Sequence, residues 1–587
     1  MPRALTFGNG RLFVAFDDRG RIRELCWPLP GQWNHLNGRA VSYGIWIDGE
    51  YSWLDSPEWQ VHIQPGESQI QAQNDRLGVR ISRTIRCSRS EDLLVDCWLI
   101  TDLRGEPRSG KVFCTETAQI NESDVGDTTL FYEPKGIMAH TKHRVAIGFG
   151  GRSDEGGISD FACGMIGFGG AEGTWRDCED GSLTMKAIEQ GTVDCSYGVP
   201  FSIHSESETL VTLWISLATE VAQLSAEPPS IPARHYAPDL MEVSKQVMLN
   251  HCCESGAILA AIDSDIMTTN RANYAYCWPR DAAEIAATLW HLGEREPATK
   301  LLEWSSRILS QNGFFFQKYL ADGTLGATWH PWVWHGEPIL PVQTDETAAV
   351  VSLALECGAE SWLAENENAI HWLASQLDEE TGLHLPCFDL WEERYGVHFY
   401  TQCKLIQTAK LLSGTERWQD LGTKMEQLVR LGWERFWLED GRMARAFIDG
   451  EPDYTADSAV LAGLLAIDAP ASEFERALAY LEPRLKIRSS VGGYARLEGD
   501  YYHRRFDHHP GNPWIISTLW FGWAHEKVGE IGGLEKALHW CENMAGPTMM
   551  LPEQVEPESG EFLSVSPLAW SHSEYAKAKL YLGPVGT

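Results

Sequence analysis

Residues 281–310, DAAEIAATLWHLGEREPATKLLEWSSRILS, carry the pattern that decides the fold of this chain. Apolar residues recur at helical spacing over 281–292 and again over 297–310, so the stretch predicts two helices. Pro297 falls in the first turn of the second helix, where proline is favoured. Because only residues 293–296 join them, the two helices must be antiparallel neighbours.

The same pattern continues through the C-terminal half of the chain. Twelve helices are predicted, over residues 238–252, 281–292, 297–310, 345–357, 361–376, 399–413, 416–436, 456–467, 472–484, 513–528, 533–545 and 567–583. Ser472 and Glu475 predict a capping box at one helix start. The connections alternate between a few residues and roughly twenty or thirty, and loops that long are usually functional. Six antiparallel helix pairs closed in a ring would place every long loop on one face, so we predict an (α/α)6 barrel.

The N-terminal part of the chain has the period of β-strands instead. RLFVAF (11–16), LGVRISRTIRC (77–87) and LLVDCWLI (93–100) are short runs of strand type, and glycine-rich turns separate further runs. A large antiparallel sandwich is the natural product. The predicted domains are an N-terminal β-sandwich over 1–228, a proline-containing linker over 229–240 and an (α/α)6 barrel catalytic domain over 241–587.

The charge of the chain restricts its partners. With 82 acidic and 48 basic residues, the formal net charge is −34. Such a surface repels nucleic acid, anionic lipid and phosphorylated substrates. Neutral substrates are compatible with it. The 25 tryptophans suit the apolar faces of sugar rings. We therefore expect a neutral oligosaccharide as substrate and no nucleic-acid or membrane partner.

The N-terminal residues and the cysteines indicate the cellular compartment in which the protein is expected. The first residues lack the apolar core and cleavage site of a signal peptide, and no apolar run reaches the ~18 residues of a membrane span. The 14 cysteines are scattered and form no CxxC pair, which is typical of reduced thiols. A cytoplasmic protein is expected.

Polar and aromatic motifs fall on the predicted long loops. They are NYAYCWPRDAA (273–283), ATWHPWVWHGEPILPVQTDETA (327–348), CFDLWEERYGVHFYT (387–401), GGYARLEGDYYHRRFDHHPGNPW (492–514) and MLPEQVEPESGEF (550–562). All five would meet on one face of the barrel. No phosphate-binding loop, GxSxG elbow or HExxH motif occurs.

Two carboxyl groups from separate loops are suited to glycoside hydrolysis, which requires one protonated and one ionised carboxyl flanking the scissile bond. Glu392 and Glu553 can face each other across a pocket built from these loops. Glu392 and Glu393 are adjacent and are expected not to share one face, so they must have different roles. One would donate a proton, and the other would accept hydrogen bonds from sugar hydroxyls.

The motifs resemble glycoside hydrolase family 15, which includes the glucoamylases, over nearly the whole chain. LTFGNGRLFVAFDDRGRIRELCWP (5–28) is similar to the super-β-sandwich domain of prokaryotic glucoamylases and glucodextranases. The other matching segments are YAYCWPRDAA (274–283), FDLWEE (388–393), YARLEGDYY (494–502), GNPWIISTLW (511–520), LPEQV (551–555) and PLAWSHSEYAKA (567–578).

The resemblance implies a role for each matched residue. Glu392 is the catalytic acid and Glu553 the catalytic base. Substrate-binding positions are Arg280 and Asp281, which hold the glucose at the nonreducing end, together with Trp278, Trp329, Trp391, Glu393 and Arg496. No cofactor and no metal ligand is implied, and a structural calcium ion cannot be read from the sequence. Glu556 and Pro557 depart from the family pattern, which has an aromatic residue and Asp after PEQV, so the pocket rim on that side is expected to differ from that of the family.

The resulting hypothesis is an inverting, exo-acting α-glucosidase of the glucoamylase type, acting on malto- or isomalto-oligosaccharides. A trehalase of the same family is the nearest alternative. A disaccharide phosphorylase shares the architecture, but it would use phosphate in place of the activated water and need no base. A non-catalytic sugar-binding protein would tolerate loss of either carboxylate, and here both are present. Linkage preference, chain length and oligomeric state stay open.

Overall fold

The computed structural model describes residues 3–167, 169–203, 208–228, 239–269, 273–438 and 442–583. Residues 229–238 of the predicted linker lie outside this described part. The chain divides into two compact units, the first made of Met1–Val243, Ile262–Asn273 and Pro547–Met550, and the second of Ser244–Ala261, Tyr274–Gly546 and Leu551–Thr587. Three short segments of the predicted barrel domain, 241–243, 262–273 and 547–550, thus belong to the first unit.

The first unit is an antiparallel β structure. Its strands are β1 (Arg3–Gly8), β2 (Phe13–Asp17), β3 (Ile22–Leu29), β4 (Gln32–Asn34), β5 (Val41–Ile47), β6 (Glu50–Trp53), β7 (Gln60–Ile63), β8 (Ile70–Asn74), β9 (Val79–Cys87), β10 (Leu93–Asp102), β11 (Arg108–Glu116), β12 (Asp127–Tyr132), β13 (Ile137–Lys142), β14 (Val145–Arg152), β15 (Asp160–Met165), β16 (Ile188–Gly191), β17 (Val193–Ile203) and β18 (Glu208–Ala218).

These strands form two nine-stranded sheets. One has the order β1-β2-β3-β5-β11-β17-β15, with β4 beside β3 and β6 beside β5, and the other has the order β16-β12-β13-β14-β18-β10-β9-β8-β7. The large hydrophobic core cluster draws residues from both sheets, among them Ile45 and Val112 from the first and Trp98 and Ile147 from the second. In β9 buried and more exposed residues alternate, as expected of a strand with one face on a core. The predicted antiparallel sandwich is confirmed.

The second unit is mainly helical. The helices are α1 (Leu240–Asn250), which begins in the first unit, α2 (Pro279–His291), α3 (Glu296–Ile308), α4 (Thr344–Glu356), α5 (Glu360–Glu365), α6 (Glu367–Ser375), α7 (Phe399–Ser413), α8 (Gln419–Trp433), α9 (Ala459–Ala466), α10 (Ala471–Leu485), α11 (Ile515–Lys527), α12 (Gly533–Ala545) and α13 (Ala569–Leu582). Short strands lie in the long loops: β19 (Val333–Trp334), β20 (Glu337–Pro338), β21 (Cys387–Phe388), β22 (Tyr395–His398), β23 (Ala446–Ile448), β24 (Glu451–Asp453), β25 (Gln554–Val555) and β26 (Phe562–Leu563).

Six inner helices close a ring. Each packs on the next in the order α2, α4, α7, α9, α11, α13 and back to α2. The outer helices α3, α5 with α6, α8, α10 and α12 each follow an inner helix and pack against it. This is the predicted (α/α)6 barrel, and the long loops lead into the N-terminal ends of the inner helices.

Two local expectations were wrong. The helix predicted over 361–376 is broken at Asn366 into α5 and α6. The capping box is absent, because α10 begins at Ala471 after Pro470 and has no side-chain cap hydrogen bond.

Two further observations concern the chain as a whole. All 14 cysteines are free thiols, and ten of them are buried. In the described part of the chain, no helix has the length and apolarity needed to cross a membrane.

Candidate active site

A cavity of about 230 Å³ opens in the second unit, where the long loops meet the N-terminal ends of the inner helices. Every site residue predicted from the sequence lines it: Trp278, Arg280, Asp281, Trp329, Trp391, Glu392, Glu393, Arg496 and Glu553. Other lining residues were not singled out beforehand, namely Ala260, Tyr274, Leu390, Tyr502, Trp514, Ile516, Leu568 and Trp570. The structure brings the predicted residues together, and their individual roles stay predictions.

Glu392 and Glu393 occupy a tight turn. The Glu392 N–H donates to the Asp389 carbonyl at 3.0 Å, and the Asp389 carboxylate accepts the N–H groups of Glu393 and Arg394 at 2.7 and 2.8 Å. Glu392 has φ +65°, a left-handed conformation that is uncommon and strained for a residue with a side chain. Because the turn interrupts the alternation of an extended strand, both glutamates line the cavity. The expectation that they cannot share one face was wrong.

Trp391, the residue before this turn, is held by a second set of polar contacts. Its indole Nε1 donates to Asp457 Oδ1 at 2.9 Å. Arg445 donates to the other oxygen of Asp457 at 3.1 Å and to Asp453 at 2.9 Å. A side chain tied to a buried ion-pair network keeps one orientation, so the neighbouring catalytic candidate is presented from a rigid support.

Glu392 has an environment suited to a proton donor. Trp278 Nε1 donates to Glu392 Oε1 at 2.6 Å. The other oxygen, Oε2, is buried and has no hydrogen-bond partner among the described residues. Burial raises the pKa of Glu392 to about 7, and the positive charges of Lys318 and Arg280 oppose that rise. A raised pKa is what a proton donor at neutral pH requires.

Lys318 was missed by the sequence analysis. The residue is 0% exposed, and in the described structure its ammonium group has no hydrogen-bond partner. The Nζ atom lies 3.6 Å from the ring centroid of Trp329, 4.5 Å from that of Tyr276 and 5.0 Å from that of Trp278. Burial lowers the pKa of Lys318 to about 8, although the Glu392 charge opposes this. The lone lysine in the apolar run FFFQKYL was the available signal.

Glu553 is 5% exposed and lies just before the β25–β26 hairpin. Its backbone is fixed on both sides, since its N–H donates to the Val565 carbonyl at 3.0 Å and its carbonyl accepts from the Ile515 N–H at 3.2 Å. Gln554 Nε2 donates to Glu553 Oε2 at 3.3 Å. Burial raises the pKa of Glu553 to about 7, opposed by a hydrogen bond from Ser564. The carboxyl can thus exchange a proton near neutral pH.

Arg280 and Asp281 lie together at the start of α2. Arg280 Nη2 contacts Asp281 Oδ2 at 3.0 Å, and Arg280 Nη1 contacts Asp345 Oδ2 at 2.9 Å. Glu346 accepts a hydrogen bond from the Arg280 backbone N–H and lies 3.2 Å from Nη1. Asp345 and Glu346 belong to the QTDET segment, in which the sequence indicated a helix start and no further role. Three carboxylates therefore fix the guanidinium at the cavity wall.

Arg496, at the cavity wall, forms a second cluster of ion pairs, with Asp500 and Glu393. Its Nε and Nη2 atoms bind both oxygens of Asp500, at 2.9 and 2.7 Å, which is the bidentate geometry that arginine favours. The same Nη2 lies 2.6 Å from Glu393 Oε1. The two adjacent glutamates thus differ in their partners: Glu393 faces a guanidinium and Glu392 an indole N–H.

Aromatic rings cover the remaining wall. Tyr274, Trp278 and Trp329 have ring centroids 5.5 to 5.8 Å apart. The hydroxyl groups of Tyr274 and Tyr502 lie 2.7 Å apart. Trp329 is 41% exposed, so its ring stands at the open side of the site. Such apolar faces between hydrogen-bonding groups match the two kinds of surface that a sugar ring presents.

Comparison with known proteins gives concordant results. No family model matches the chain. The chain is 23% identical to an uncharacterized glycosyl hydrolase of Methanocaldococcus jannaschii, and the match covers 97% of each protein. A crystal structure of a bacterial glucoamylase complexed with acarbose superimposes with a TM-score of 0.73 at 12% identity, covering 98% of this chain and 93% of that one. The fold is that of the bacterial glucoamylase.

Proposed function

We propose that the protein is an inverting, exo-acting glycoside hydrolase of the glucoamylase type, releasing β-D-glucose from the nonreducing ends of malto- or isomalto-oligosaccharides. One observation carries the proposal: Glu392 and Glu553 come from separate loops, line one cavity and have a pKa raised to about 7. A general acid and a general base that work at neutral pH need such values. The fold of the bacterial glucoamylase and the similarity to a glycosyl hydrolase support it.

Glu392 is assigned as the general acid. Oε2, which has no hydrogen-bond partner in the described part of the chain, is the atom that would carry the proton, since Trp278 already binds Oε1. In the reaction Oε2 would protonate the glycosidic oxygen as the bond to the anomeric carbon breaks. The Trp278 hydrogen bond would then stabilise the carboxylate that remains.

Glu553 is assigned as the general base. Its carboxylate would remove a proton from a water molecule while that water attacks the anomeric carbon from the face opposite Glu392. Gln554 and Ser564 donate hydrogen bonds that favour the ionised form before the reaction. Direct displacement by water inverts the anomeric configuration, so an α-glucoside would yield β-glucose.

Arg280 and Asp281 are assigned to the terminal glucose. A guanidinium and a carboxylate in fixed geometry can satisfy several vicinal hydroxyl groups. Both side chains are buried at the cavity wall, so the pocket would end at this sugar, which makes the cleavage exo.

Incubating the protein with maltotriose, isomaltotriose and trehalose side by side, with and without phosphate, tests the substrate class and the reaction. Free glucose should appear without phosphate, and proton NMR in the first minutes should show the β anomer. Initial release of α-glucose would contradict the inverting mechanism. Internal cuts early in a maltoheptaose digest would contradict the exo mode, and trehalose as the best substrate would identify a trehalase.

A further inference from the structure

We propose that His508, His509 and Glu558 form a zinc site that fastens together two loops of the active site. His508 Nε2 and His509 Nε2 lie 3.2 and 2.7 Å from the same oxygen, Oε1 of Glu558. All three donor atoms lie within 4.8 Å of one another. The sequence predicted no metal ligand, and the residues that the fold brings together are 49 and 50 positions apart in the chain.

The donor set selects the metal. Two imidazole nitrogens and one carboxylate oxygen are the ligands of His₂Glu zinc sites, which leave a fourth position for water. With zinc–ligand bonds of ~2.0–2.1 Å, two donors of a tetrahedral site stand roughly 3.3 Å apart. The distance of 3.2 Å from His508 Nε2 to Glu558 Oε1 already matches this separation. The distance of 2.7 Å from His509 Nε2 to the same oxygen would have to lengthen slightly when zinc binds. Calcium and magnesium prefer oxygen donors, so imidazole nitrogens disfavour them.

The loop that carries the histidines is held in place independently of any metal. The Arg504 guanidinium donates to the carbonyl oxygens of Phe506, Asp507 and His509, at 3.1, 2.9 and 2.7 Å. His509 is 4% exposed, whereas His508 reaches solvent. One buried ligand on a fixed backbone together with one accessible ligand gives a site that is preorganised and open to an ion from solution.

Glu558 lies at the tip of the hairpin whose base holds Glu553. It follows β25 and precedes β26, and its N–H donates to Glu556 Oε2 at 2.8 Å. The loops of Glu558 and of the histidines already meet elsewhere, because Asn512 Nδ2 donates to Gln554 Oε1 at 2.7 Å. An ion at the tip would add a second attachment and restrain the hairpin that presents Glu553.

Zinc binding can be measured on the full chain without a histidine tag, after dialysis against a chelator at pH 7.5. Titration with zinc chloride in competition with a chromophoric chelator should show one tight ion per chain. His509→Ala and Glu558→Gln should each weaken binding by at least about 10–100-fold, the loss already typical of removing a supporting partner. The matched control is His539→Ala, because His539 is exposed and pairs with Glu542 (2.9 Å) without belonging to a group of three ligands among the described residues.

Hydrogen–deuterium exchange supplies a measurement that is independent of enzymatic activity. Zinc should slow exchange in residues 554–563 of the wild-type protein and have no such effect in Glu558→Gln. Failure to bind zinc, or equal binding by His509→Ala and the control, would overturn the site. Stronger binding of calcium than of zinc would overturn the choice of metal, and binding without slower exchange in the hairpin would overturn the fastening role.

Discussion

The Glu392 turn and the Glu553 hairpin hold carboxyl groups of similar pKa, and they differ in the groups that oppose the effect of burial. Burial raises the pKa of both carboxyls to about 7. Around Glu392 the groups that oppose this rise are cations, Lys318 first and then Arg280. Around Glu553 the first opposing group is a neutral hydrogen-bond donor, Ser564, and the charge of Arg496 comes second. Two glutamates with similar pKa values therefore have different electrostatic surroundings.

The difference suggests how the roles divide. Among the described residues, Glu392 Oε2 is buried and has no hydrogen-bond partner, so a proton on that oxygen is not held by another side chain. Glu553 sits among hydrogen-bond donors that stabilise a negative charge. Since the acid must be protonated and the base ionised, activity should follow a narrow bell-shaped pH profile centred near 7. Its alkaline limb would report Glu392 and its acidic limb Glu553.

Replacing Glu392 should have the largest effect. Glu392→Gln keeps the shape of the side chain and removes the transferable proton. We expect kcat on maltotriose to fall by about 10⁴-fold, the upper end for general acid catalysis. Glucosyl fluoride should still react, because fluoride departs without protonation. Steady-state kinetics on both substrates check this, with Glu393→Gln as the control. If only Glu393→Gln lost activity on maltotriose, the two assignments would be reversed.

Removing the base should cost somewhat less. Glu553→Ala is expected to lower kcat by about 10²–10⁴-fold with little change in substrate affinity, because water alone is a poor nucleophile. Azide should restore part of the turnover of glucosyl fluoride, since a small anion can attack without losing a proton. Glu561→Ala, at an exposed glutamate of the same loop, is the matched control. Near-normal hydrolysis by Glu553→Ala would show that another carboxylate is the base.

The sequence predicted the fold because two patterns in it are local. Helical periodicity and the alternation of loop lengths are visible without knowing any contact, and they led to the barrel. The break at Asn366 was missed because the apolar pattern runs through it, from Trp362 to Ile370. The left-handed conformation of Glu392 was missed because it depends on hydrogen bonds to Asp389.

The site residues were predictable wherever a motif held them. Lys318 was not, because its role depends on which rings surround it. Trp329 and Trp278 come from two different loops and enclose the ammonium only in the folded chain. The sequence contained no signal for the proposed zinc site for the same reason, since His509 and Glu558 meet only when two loops are in place.

Lys318 offers a direct way to change the surroundings of one carboxyl alone. Its positive charge lowers the pKa of Glu392, so Lys318→Met should raise that pKa further. The acid then stays protonated to higher pH, and the alkaline limb of kcat/KM should move upward by about one unit, the low end for a nearby opposite charge. The acidic limb should not move.

The pH profile of kcat/KM on maltotriose tests this expectation. Lys424→Met, at an exposed lysine paired with Glu379, is the control and should leave both limbs in place. Lys318→Arg should retain the wild-type profile if the charge is what matters. An alkaline limb that stays fixed in Lys318→Met would show that Lys318 does not act on the acid.

Trp329 should give the smallest effect, because it touches the acid only through its neighbours. Its ring stands partly exposed at the rim and packs against Trp278, with centroids 5.7 Å apart. Covering one face of an indole with a sugar is worth roughly 1.5 kcal/mol, the low end for burying a large apolar side chain. Trp329→Ala should therefore raise KM for maltotriose about tenfold and lower kcat much less.

Replacing the neighbouring Trp332 distinguishes the loss of a sugar-stacking ring from a general effect on the loop. It is 49% exposed and belongs to the same loop, but it is not among the residues that line the cavity. Trp332→Ala should leave KM within about twofold of the wild-type value, since it removes no wall of the site. Equal increases in KM for both variants would assign the effect to the loop. Loss of an interaction that is made only in the transition state lowers kcat. If Trp329→Ala lowered kcat by as large a factor as it raised KM, Trp329 would have to support the general acid as well as bind the sugar.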